Sequence, residues 1–273
     1  MPPVAHATLQ KLSVVIPALN EGKSIGVVMD ELPRGLLEVI VVDGNSTDGT
    51  QEIARAKGAR VISEPRRGYG RAVMTGMQAA RGEFVATLDG DHTYPGEVLG
   101  DVVQLLVDRD LDFVTCDRLS TLNSEAMGAK HRFGNWVLSA TTRVLFRVPI
   151  IDSQSGMCVM RRSILRDLTL GSPTFAFCQE LKIEAFRRRR GRCGEIPVRY
   201  RSRIGTPQLS SWRDGTANLA FLFKKRLAFV KARRGELYRS VDRPAPLRID
   251  PGFSSMSHAS SSAAPSVESR EPV

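Results

Sequence analysis

Cysteine is scarce in this chain of 273 residues. There are four, Cys116, Cys158, Cys178 and Cys193, and no two of them form a C-x-x-C pair. Because no cluster of histidines accompanies them, the sequence predicts neither a zinc site nor a framework of disulfide bonds. The thiols are expected to be reduced, which favours a cytoplasmic protein.

Long apolar runs are also missing. No stretch approaches the roughly 20 apolar residues that a helix needs to cross a bilayer. The segment 1–11 has neither the charged start nor the apolar centre of a secretion signal. These absences predict a cytoplasmic location, and a peripheral position on the inner face of the membrane is left open.

Negative charge is in deficit, since 29 Asp and Glu residues stand against 39 Lys and Arg, a formal net charge of +10. This balance favours an anionic partner, which can be nucleic acid, a phospholipid surface or a phosphorylated small molecule. The sequence shows no zinc-finger, helix-turn-helix or RNP pattern, so we expect no nucleic acid. An anionic membrane surface or a membrane subunit is the expected partner besides the substrates.

Short apolar segments rich in Val and Ile alternate with helical patterns through the first 116 residues. The predicted strands are 13–16, 39–42, 60–63, 83–88 and 113–115, and the predicted helices are 21–32, 47–57, 70–80 and 96–107. Such alternation is typical of βαβ units. The sequence therefore predicts an α/β fold whose parallel strands end at a common edge, where ligands bind in open sheets of this kind.

The pattern changes after residue 116. A polar segment at 117–135 leads into a helix from about Phe133 to Phe146, and short strands at 158–160 and 195–200 surround a helix near 178–190. The last residues are rich in Pro, Ser and Ala, which is typical of a disordered tail. We predict four regions: a flexible arm (1–10), one α/β domain (11–211), a basic amphipathic helix (212–238) and a disordered tail (239–273).

The helix predicted from Trp212 to Arg234 has an apolar and a basic face. Its apolar residues at helical spacing are Leu219, Leu222, Phe223, Leu227 and Val230, and its cations are Lys224, Lys225, Lys231, Arg233 and Arg234. This pattern fits a helix that packs on the core with one face in water, and it fits equally an anchor on a lipid surface.

Acidic residues follow two of the predicted strands. Asp43 ends the second strand, and Asp89-Gly90-Asp91 ends the fourth. Two carboxylates at positions i and i+2 can share a hard cation such as Mg²⁺ or Mn²⁺. In isolation the same residues fit a plain turn, because Asp-Gly is a common turn signal.

The order of the remaining motifs favours the ligand-binding interpretation. They are Pro17-Ala-Leu-Asn-Glu21, Asp43-Gly-Asn-Ser-Thr-Asp-Gly-Thr50, Gly68-Tyr-Gly-Arg-Ala72, Asp89-Gly-Asp91, Cys116-Asp-Arg118, His131-Arg-Phe133, Asp152-Ser-Gln-Ser-Gly156 and Arg203-Ile-Gly-Thr-Pro-Gln-Leu209. In this order they resemble the family 2 glycosyltransferases of the GT-A fold, and within them the dolichyl- or polyprenyl-phosphate sugar synthases. The resemblance covers about residues 11–235.

The resemblance implies a mixed, mainly parallel GT-A sheet and a role for each matching residue. Pro17, Leu19 and Glu21 would line the nucleotide pocket, Asp43 would bind the base, and Asp89 and Gly90 would face the ribose and the sugar. Asp91 would bind the metal, Mg²⁺ or Mn²⁺, with Thr93 as a second ligand. Arg203 and Gln208 would close over the donor diphosphate. Arg118 and Arg132 would hold the acceptor phosphate, with Asp152 and Glu180 near the acceptor and the sugar.

The chain departs from the family pattern at four positions. Gly44 replaces the second Asp of D-D-G-S, and Leu19 replaces an aromatic residue. Thr93 stands where the family has Gln, and a hydroxyl is a weaker metal ligand that water can replace. Gln208 replaces a lysine, which removes one positive charge from the diphosphate clamp.

The resemblance implies an inverting, metal-dependent transfer of a hexosyl unit from GDP-mannose or a UDP-hexose to polyprenyl or dolichyl phosphate. A phosphate acceptor is already ionised and needs no strong general base. Two alternatives stay open. The same donor chemistry can serve a polysaccharide or a small natural product, or the chain can bind nucleotide sugars without catalysis.

Overall fold

The computed structural model describes residues 6–120, 127–206 and 211–233. Within these ranges the chain forms a seven-stranded sheet in the order β3-β2-β1-β4-β6-β5-β7. The strands are β1 (Leu12–Ala18), β2 (Glu38–Asp43), β3 (Arg60–Ser63), β4 (Phe84–Thr87), β5 (Phe113–Asp117), β6 (Cys158–Arg161) and β7 (Cys193–Pro197). Of the predicted features, Gln208 and the tail at 239–273 lie outside the described residues.

Helices cover both faces of the sheet. They are α1 (His6–Leu9), α2 (Ile25–Asp30), α3 (Thr50–Ala56), α4 (Tyr69–Ala79), α5 (Leu99–Asp108), α6 (Ala129–Phe146), α7 (Phe177–Arg188) and α8 (Ser211–Arg233), with 3₁₀ turns at Gly96–Val98 and Arg162–Asp167. Apolar residues of α2, α3 and α5 pack in the core on one face. Those of α4, α6, α7 and α8 pack on the other.

The central strands are apolar along their whole length because both of their faces are buried. In β1, Val14 and Ile16 face one core while Val15 faces the other. Val41 of β2 likewise faces away from Ile40 and Val42. Side chains alternate across a strand, so a strand covered by helices on both sides reads as a continuous apolar run. This confirms the predicted α/β fold.

One strand runs against the others. β6 pairs antiparallel with both β4 and β5, whereas every other neighbouring pair in the sheet is parallel. The N-terminal end of β6 therefore lies at the edge where the parallel strands have their C-terminal ends. The segment just before it, Asp152–Gly156, therefore lies at that same edge.

The start of the chain differs from the predicted flexible arm of residues 1–10. His6–Leu9 form a helix, and Leu9 is buried in the core. The Leu9 carbonyl accepts a hydrogen bond from the Leu37 backbone N–H at 3.2 Å, and the Thr8 hydroxyl donates to Gln104. The prediction is wrong here because these contacts join residues that are distant in sequence; residues 1–5 lie outside the described part.

The apolar face predicted for α8 is only partly correct. Leu222 is fully buried and Leu219 packs beside it, but Phe223 and Leu227 point outward and are 52% and 62% exposed. Lys225, predicted on the basic outer face, is buried and contacts Glu180 and Glu184 at 2.9 Å each. In the described residues no helix combines the length and the hydropathy of a membrane span.

Candidate active site

The C-terminal edge of the parallel strands brings the predicted acidic residues together. Asp43 ends β2 and is fully buried. Its Oδ2 accepts the backbone N–H groups of Asn45 and Ser46 at 3.0 Å each, and the Gln51 side chain at 2.7 Å. Its Oδ1 is buried without a hydrogen-bond partner. A buried carboxylate oxygen of this kind is an acceptor held ready for a ligand donor.

The loops at this edge carry unusual backbone conformations. Asn20, Asn45 and His92, which follow β1, β2 and β4, all have positive φ angles, between 54° and 69°. Positive φ is uncommon outside glycine, although asparagine tolerates it best. Such residues cluster at functional sites, where the surrounding contacts hold them in place.

The loop after β1 is tied to the loops after β2 and β4. The Glu21 backbone N–H donates to Thr50 Oγ1 at 2.9 Å, and the Ser24 hydroxyl donates to the Gly90 carbonyl at 2.7 Å. Pro17 is buried in β1, and half-buried Leu19 follows that strand. Five residues are therefore neighbours at this edge of the sheet: Pro17, Leu19, Glu21, Asp43 and Gly90. We call the space between these loops the cleft.

Arg203 reaches into this cleft between two carboxylates. Its Nη1 donates to Asp91 Oδ2 at 2.9 Å, and its Nη2 donates to Glu21 Oε1. Burial raises the pKa of Glu21 above its usual value; Arg203 counteracts this, and the nearby charge of Asp91 adds to it. The Arg203 Nε is buried without a partner.

Asp89 is half-buried and lies two residues before the buried Asp91. The Tyr69 hydroxyl donates to Asp89 Oδ1 at 2.8 Å. Burial, followed by the charge of Asp91, raises the pKa of Asp89 to about 7. Gly156 faces both residues closely, because a Cβ there would lie 2.8 Å from each Asp89 carboxylate oxygen and 2.7 Å from the Tyr69 hydroxyl. Gly156, rather than Gly90, is the glycine whose missing side chain the site requires.

The carboxylates at this edge suit a hard divalent cation whose remaining ligands come from a substrate. Asp89 and Asp91 offer carboxylate oxygens, and the cation that Asp91 contacts in this structure is the Arg203 guanidinium. In the described ranges no three His, Cys, Asp or Glu side chains gather as a complete cage. Mg²⁺ commonly takes only one or two carboxylates and completes its shell with phosphates and water.

Thr93 supports Asp91 in this arrangement. Its hydroxyl and its backbone N–H both donate to Asp91 Oδ1, at 2.6 and 3.0 Å. The contact fixes the orientation of the Asp91 carboxylate, so that Oδ2 faces the cleft and Arg203. Whether Thr93 is also a metal ligand stays a prediction.

Arg118 and Asp152 form a buried ion pair at the end of β5. Arg118 donates from Nε to Asp152 Oδ2 at 2.7 Å and from Nη2 to Oδ1 at 3.1 Å. Burial opposes the ionisation of Asp152, but the charge and hydrogen bonds of Arg118, with smaller contributions from Lys182 and the Gln154 backbone N–H, together outweigh it and lower the pKa of Asp152 to about 2. Tyr94 and Tyr200 lie beside the guanidinium, with ring centroids 6.0 and 5.2 Å from its carbon. Asp152 thus holds Arg118 in place.

Arg132 lies on the first turn of α6, close to the same strand end. Its Nη2 donates to the Leu119 carbonyl at 3.2 Å, one residue beyond Arg118. Glu180 lies on the first turn of α7. Its Oε2 accepts the backbone N–H groups of Gly171 and Ser172, and its Oε1 accepts Lys225. Glu180 is engaged within the protein by a loop and by α8.

Three residues of the site were not assigned by their sequence motifs. Tyr69 lies inside the Gly68-Tyr-Gly motif, but nothing local shows that it meets Asp89. Lys182 is buried on α7 and donates to the Asp152 carbonyl at 2.5 Å. Glu195 accepts the backbone N–H of Asp152 at 2.9 Å. All three contacts depend on the order of the strands.

The sheet order and the acidic edge define an α/β protein whose candidate ligand site lies at the C-terminal ends of its parallel strands. Comparison with known proteins identifies the family. Residues 13–169 match glycosyl transferase family 2, and the chain belongs to that family. It is therefore a glycosyltransferase.

Individual proteins are similar over most of the chain. A dolichyl-phosphate hexose transferase of Haloferax volcanii is 36% identical over 213 residues, covering 77% of this chain and 91% of its own. An uncharacterised glycosyltransferase of Mycobacterium tuberculosis is 35% identical over 196 residues, covering 71% of this chain and 87% of its own.

The fold has counterparts among solved structures. A crystal structure of glucosyl-3-phosphoglycerate synthase from Mycobacterium tuberculosis, in complex with Mn²⁺, uridine-diphosphate-glucose and glycerol 3-phosphate, matches with a TM-score of 0.61. It is 25% identical and covers 87% of this chain and 85% of that one. The sheet of the present chain is a GT-A fold, as the family resemblance implied.

Proposed function

We propose that this enzyme transfers a hexosyl unit from a nucleotide sugar to a polyprenyl phosphate, with a divalent metal and with inversion at the anomeric carbon. The observation that carries the proposal is the meeting of Asp43, Asp91 and Arg203 at one sheet edge. A base acceptor, a metal ligand and a cation for phosphate then line one cleft.

The donor nucleotide would be held at both ends. Asp43 Oδ1, which is buried and without a partner, would accept an N–H of the base. Guanine and uracil both offer such a donor, so GDP-mannose and the UDP-hexoses are the candidates. A bound UDP-glucose in the similar glucosyl-3-phosphoglycerate synthase supports this class of donor.

Asp91, with Asp89 beside it, would hold Mg²⁺ or Mn²⁺ against the donor diphosphate. When bound, the metal neutralises negative charge that builds up on the leaving nucleotide diphosphate. Arg203 would contribute a second positive charge to the same phosphates. Such fixed charges commonly account for the largest part of the rate enhancement.

The acceptor phosphate would meet Arg132 and Arg118. Arg118 is fixed by Asp152, and an arginine fork can bind two phosphate oxygens at once. Attack by the phosphate from the face opposite the leaving diphosphate inverts the anomeric carbon. The name of the Haloferax relative, a dolichyl-phosphate hexose transferase, supports a lipid phosphate.

A transfer assay tests the proposal. The purified chain is incubated with labelled GDP-mannose or UDP-glucose, Mn²⁺ or Mg²⁺, and a polyprenyl phosphate in detergent. We expect label in the organic phase, and a loss of at least about a hundredfold in Asp91→Ala. Asp108→Ala, which removes an exposed carboxylate on α5, is the matched control and should keep full activity.

Three results would contradict the proposal. Normal turnover by Asp91→Ala would reject the site. Labelled product found only in water would assign a polysaccharide or a small-molecule acceptor. Donor binding without transfer or hydrolysis would indicate a non-catalytic binder of nucleotide sugars.

A further inference from the structure

Four arginines line a pocket of about 290 Å³ at the C-terminal ends of α6 and α7. Arg147 caps α6, Arg187 and Arg190 lie at and just beyond the end of α7, and Arg226 lies on α8. Phe146 completes the wall. We call this feature the arginine pocket.

Three of the four arginines that line the pocket have no acidic partner in the part of the chain that the structure describes. Within the ranges that the structure describes, no carboxylate forms an ion pair with Arg147, Arg190 or Arg226. Their neighbours Arg188 and Arg189 do have such partners, Glu184 and Asp167. Helix C-termini favour a nearby cation, but the positive charges of Arg147, Arg190 and Arg226 around one cavity repel one another. An anion in the pocket would relieve that repulsion.

The pocket is shaped before any ligand arrives. The Arg187 guanidinium lies 4.4 Å from the ring centroid of Phe229, and that ring meets Phe146 edge to face at 5.8 Å. Stacking on an aromatic ring holds an arginine in one orientation. A multidentate anion such as a phosphate fits this arrangement.

The arginine pocket is distant from the donor cleft. Helix α7 begins at Phe177, beside Gly70 of the first turn of α4, and runs for 12 residues, or about 18 Å, before it reaches the pocket. It ends near the start of β7, at the edge of the sheet opposite the acidic residues. The pocket is therefore separate from the proposed nucleotide site.

Exposed apolar side chains lie along the two packed helices that lead to Arg147 and carry Arg226. Phe133, Trp136 and Val144 of α6 are 66%, 54% and 77% exposed, and Phe223 and Leu227 of α8 are 52% and 62% exposed. The spacings of three, eight and eleven residues in α6, and of four in α8, place each set on a single helix face. Val144 is one turn from Arg147, and Leu227 adjoins Arg226. We call these five residues the apolar rim.

We propose that the arginine pocket binds the phosphate of an anionic phospholipid headgroup and that the apolar rim enters the membrane surface around it. Apolar residues beside cations on one surface are typical of proteins that lie at a lipid interface. The α6 part of the rim begins next to Arg132, at the catalytic edge, and extends about 16 Å to Val144. The inference deepens and rests on the proposed function, because this contact would bring the catalytic edge to a lipid acceptor.

Binding to lipid vesicles tests the role of the positive charge in the arginine pocket. The full chain is sedimented with vesicles of phosphatidylcholine alone and of an equimolar mixture with phosphatidylglycerol. We expect binding to the anionic vesicles, and a loss of about 25-fold or more in the double variant Arg147→Glu/Arg190→Glu. The control Arg34→Glu/Arg109→Glu makes the same charge change at exposed arginines outside the docking surface, and it should keep most of the binding.

A second pair of variants tests the apolar rim. Phe223→Gln/Leu227→Gln should weaken binding to anionic vesicles by about tenfold. Val27→Gln/Val107→Gln, at exposed apolar positions on α2 and α5, should not. Equal losses in the target and control variants, for charge or for the rim, would overturn the proposal, because net charge or general hydrophobicity would then explain the binding.

A pocket that binds free phosphate or RNA instead of a membrane would give different results in these experiments. Binding of inorganic phosphate or of a short RNA that Arg147→Glu/Arg190→Glu abolishes, without binding to anionic vesicles, would overturn the membrane assignment. The transfer assay with a short-chain acceptor in detergent separates the two proposals. The pocket variants should keep transfer there, and if the wild-type chain binds vesicles but transfers nothing, the proposed function fails while the docking surface stands.

Discussion

Arg203 and Asp91 are 112 residues apart in the chain, yet the arginine Nη1 donates to the carboxylate Oδ2 at 2.9 Å. The same guanidinium also contacts Glu21. The loop after β7 thus supplies a positive charge to two acids in the cleft. On the proposed function, a divalent cation and a diphosphate would compete for these groups, and Arg203 would couple donor binding to metal binding.

Substitution of Arg203 should separate its two effects. In Arg203→Ala, kcat should fall by about a hundredfold because a cation near the leaving diphosphate is lost. The Mn²⁺ concentration needed for half-maximal activity should also fall, since Asp91 no longer shares its charge with a guanidinium. Metal titrations of the variant, with Arg34→Ala as control, measure both. Unchanged kcat and metal dependence would exclude this role.

Asp43 should determine affinity for the nucleotide rather than the rate of transfer. Asp43→Asn replaces one carboxylate oxygen by an N–H₂ group, so either the base or the backbone N–H groups of Asn45 and Ser46 lose an acceptor. Donor KM should rise ten- to a hundredfold, by about 1.5–3 kcal/mol, with a smaller effect on kcat. Calorimetry with GDP and UDP gives the same comparison without turnover, and equal affinities for variant and wild type would contradict the assignment.

Gly156 should tolerate no side chain. In Gly156→Ala the new Cβ would lie within 2.8 Å of Asp89 and Tyr69, so this hydrogen-bonded pair must shift. We expect kcat to fall by at least about tenfold and stability to fall by about 1–3 kcal/mol, as in other overpacked sites. Gly134→Ala, on α6 where a Cβ meets nothing within 4 Å, is the control for activity. Full activity in Gly156→Ala would show that this close approach is unimportant.

The Arg118–Asp152 pair should make stability depend on acid pH. The pKa of Asp152 is lowered from 3.8 to about 2 in the folded chain, so the carboxylate contributes stability above about pH 4 that is lost as the pH falls towards 2. By linkage that contribution is about 2 kcal/mol. Asp152→Asn should unfold more easily in urea at neutral pH, by about 3 kcal/mol, because Arg118 loses its partner.

The free energy of unfolding of Asp152→Asn should fall less than that of the wild type when the pH is lowered from neutral to about 3. Asp108→Asn, at an exposed position, should follow the wild type. Identical acid dependence in all three chains would mean that the pair does not control acid stability.

Lys225 should stabilise the packing of α8 against the rest of the domain. It contacts Glu180 and Glu184 at 2.9 Å each in a buried setting. Lys225→Met leaves two carboxylates without their cation and should lower the free energy of unfolding by about 3–5 kcal/mol. Lys224→Met, at the adjacent exposed position, should change it by less than about 0.5 kcal/mol. Urea unfolding compares them, and equal stabilities would show that α8 is held by its apolar contacts alone.

Local sequence predicted most strands and the acidic half of the site. The strand 60–63 matches β3, and Asp43, Asp89 and Asp91 lie at one edge as expected. Helix α6 begins at Ala129, four residues before the predicted start, because its first turn is polar and carries no apolar period. The ion pair between Asp152 and Arg118 could not be predicted from local sequence, since the two residues meet only because β6 lies between β4 and β5.

The sequence by itself determined where strands form and what ends them, because apolar runs and the acids behind them are local properties. Tertiary structure alone decided the reversed direction of β6, the reach of Arg203 to Asp91 and Glu21, and the burial of Lys225 beside exposed Phe223. Periodicity shows that a helix has an apolar side, but neighbouring elements decide which residues of that side are covered. Strand direction likewise depends on pairing between segments that are far apart in the chain.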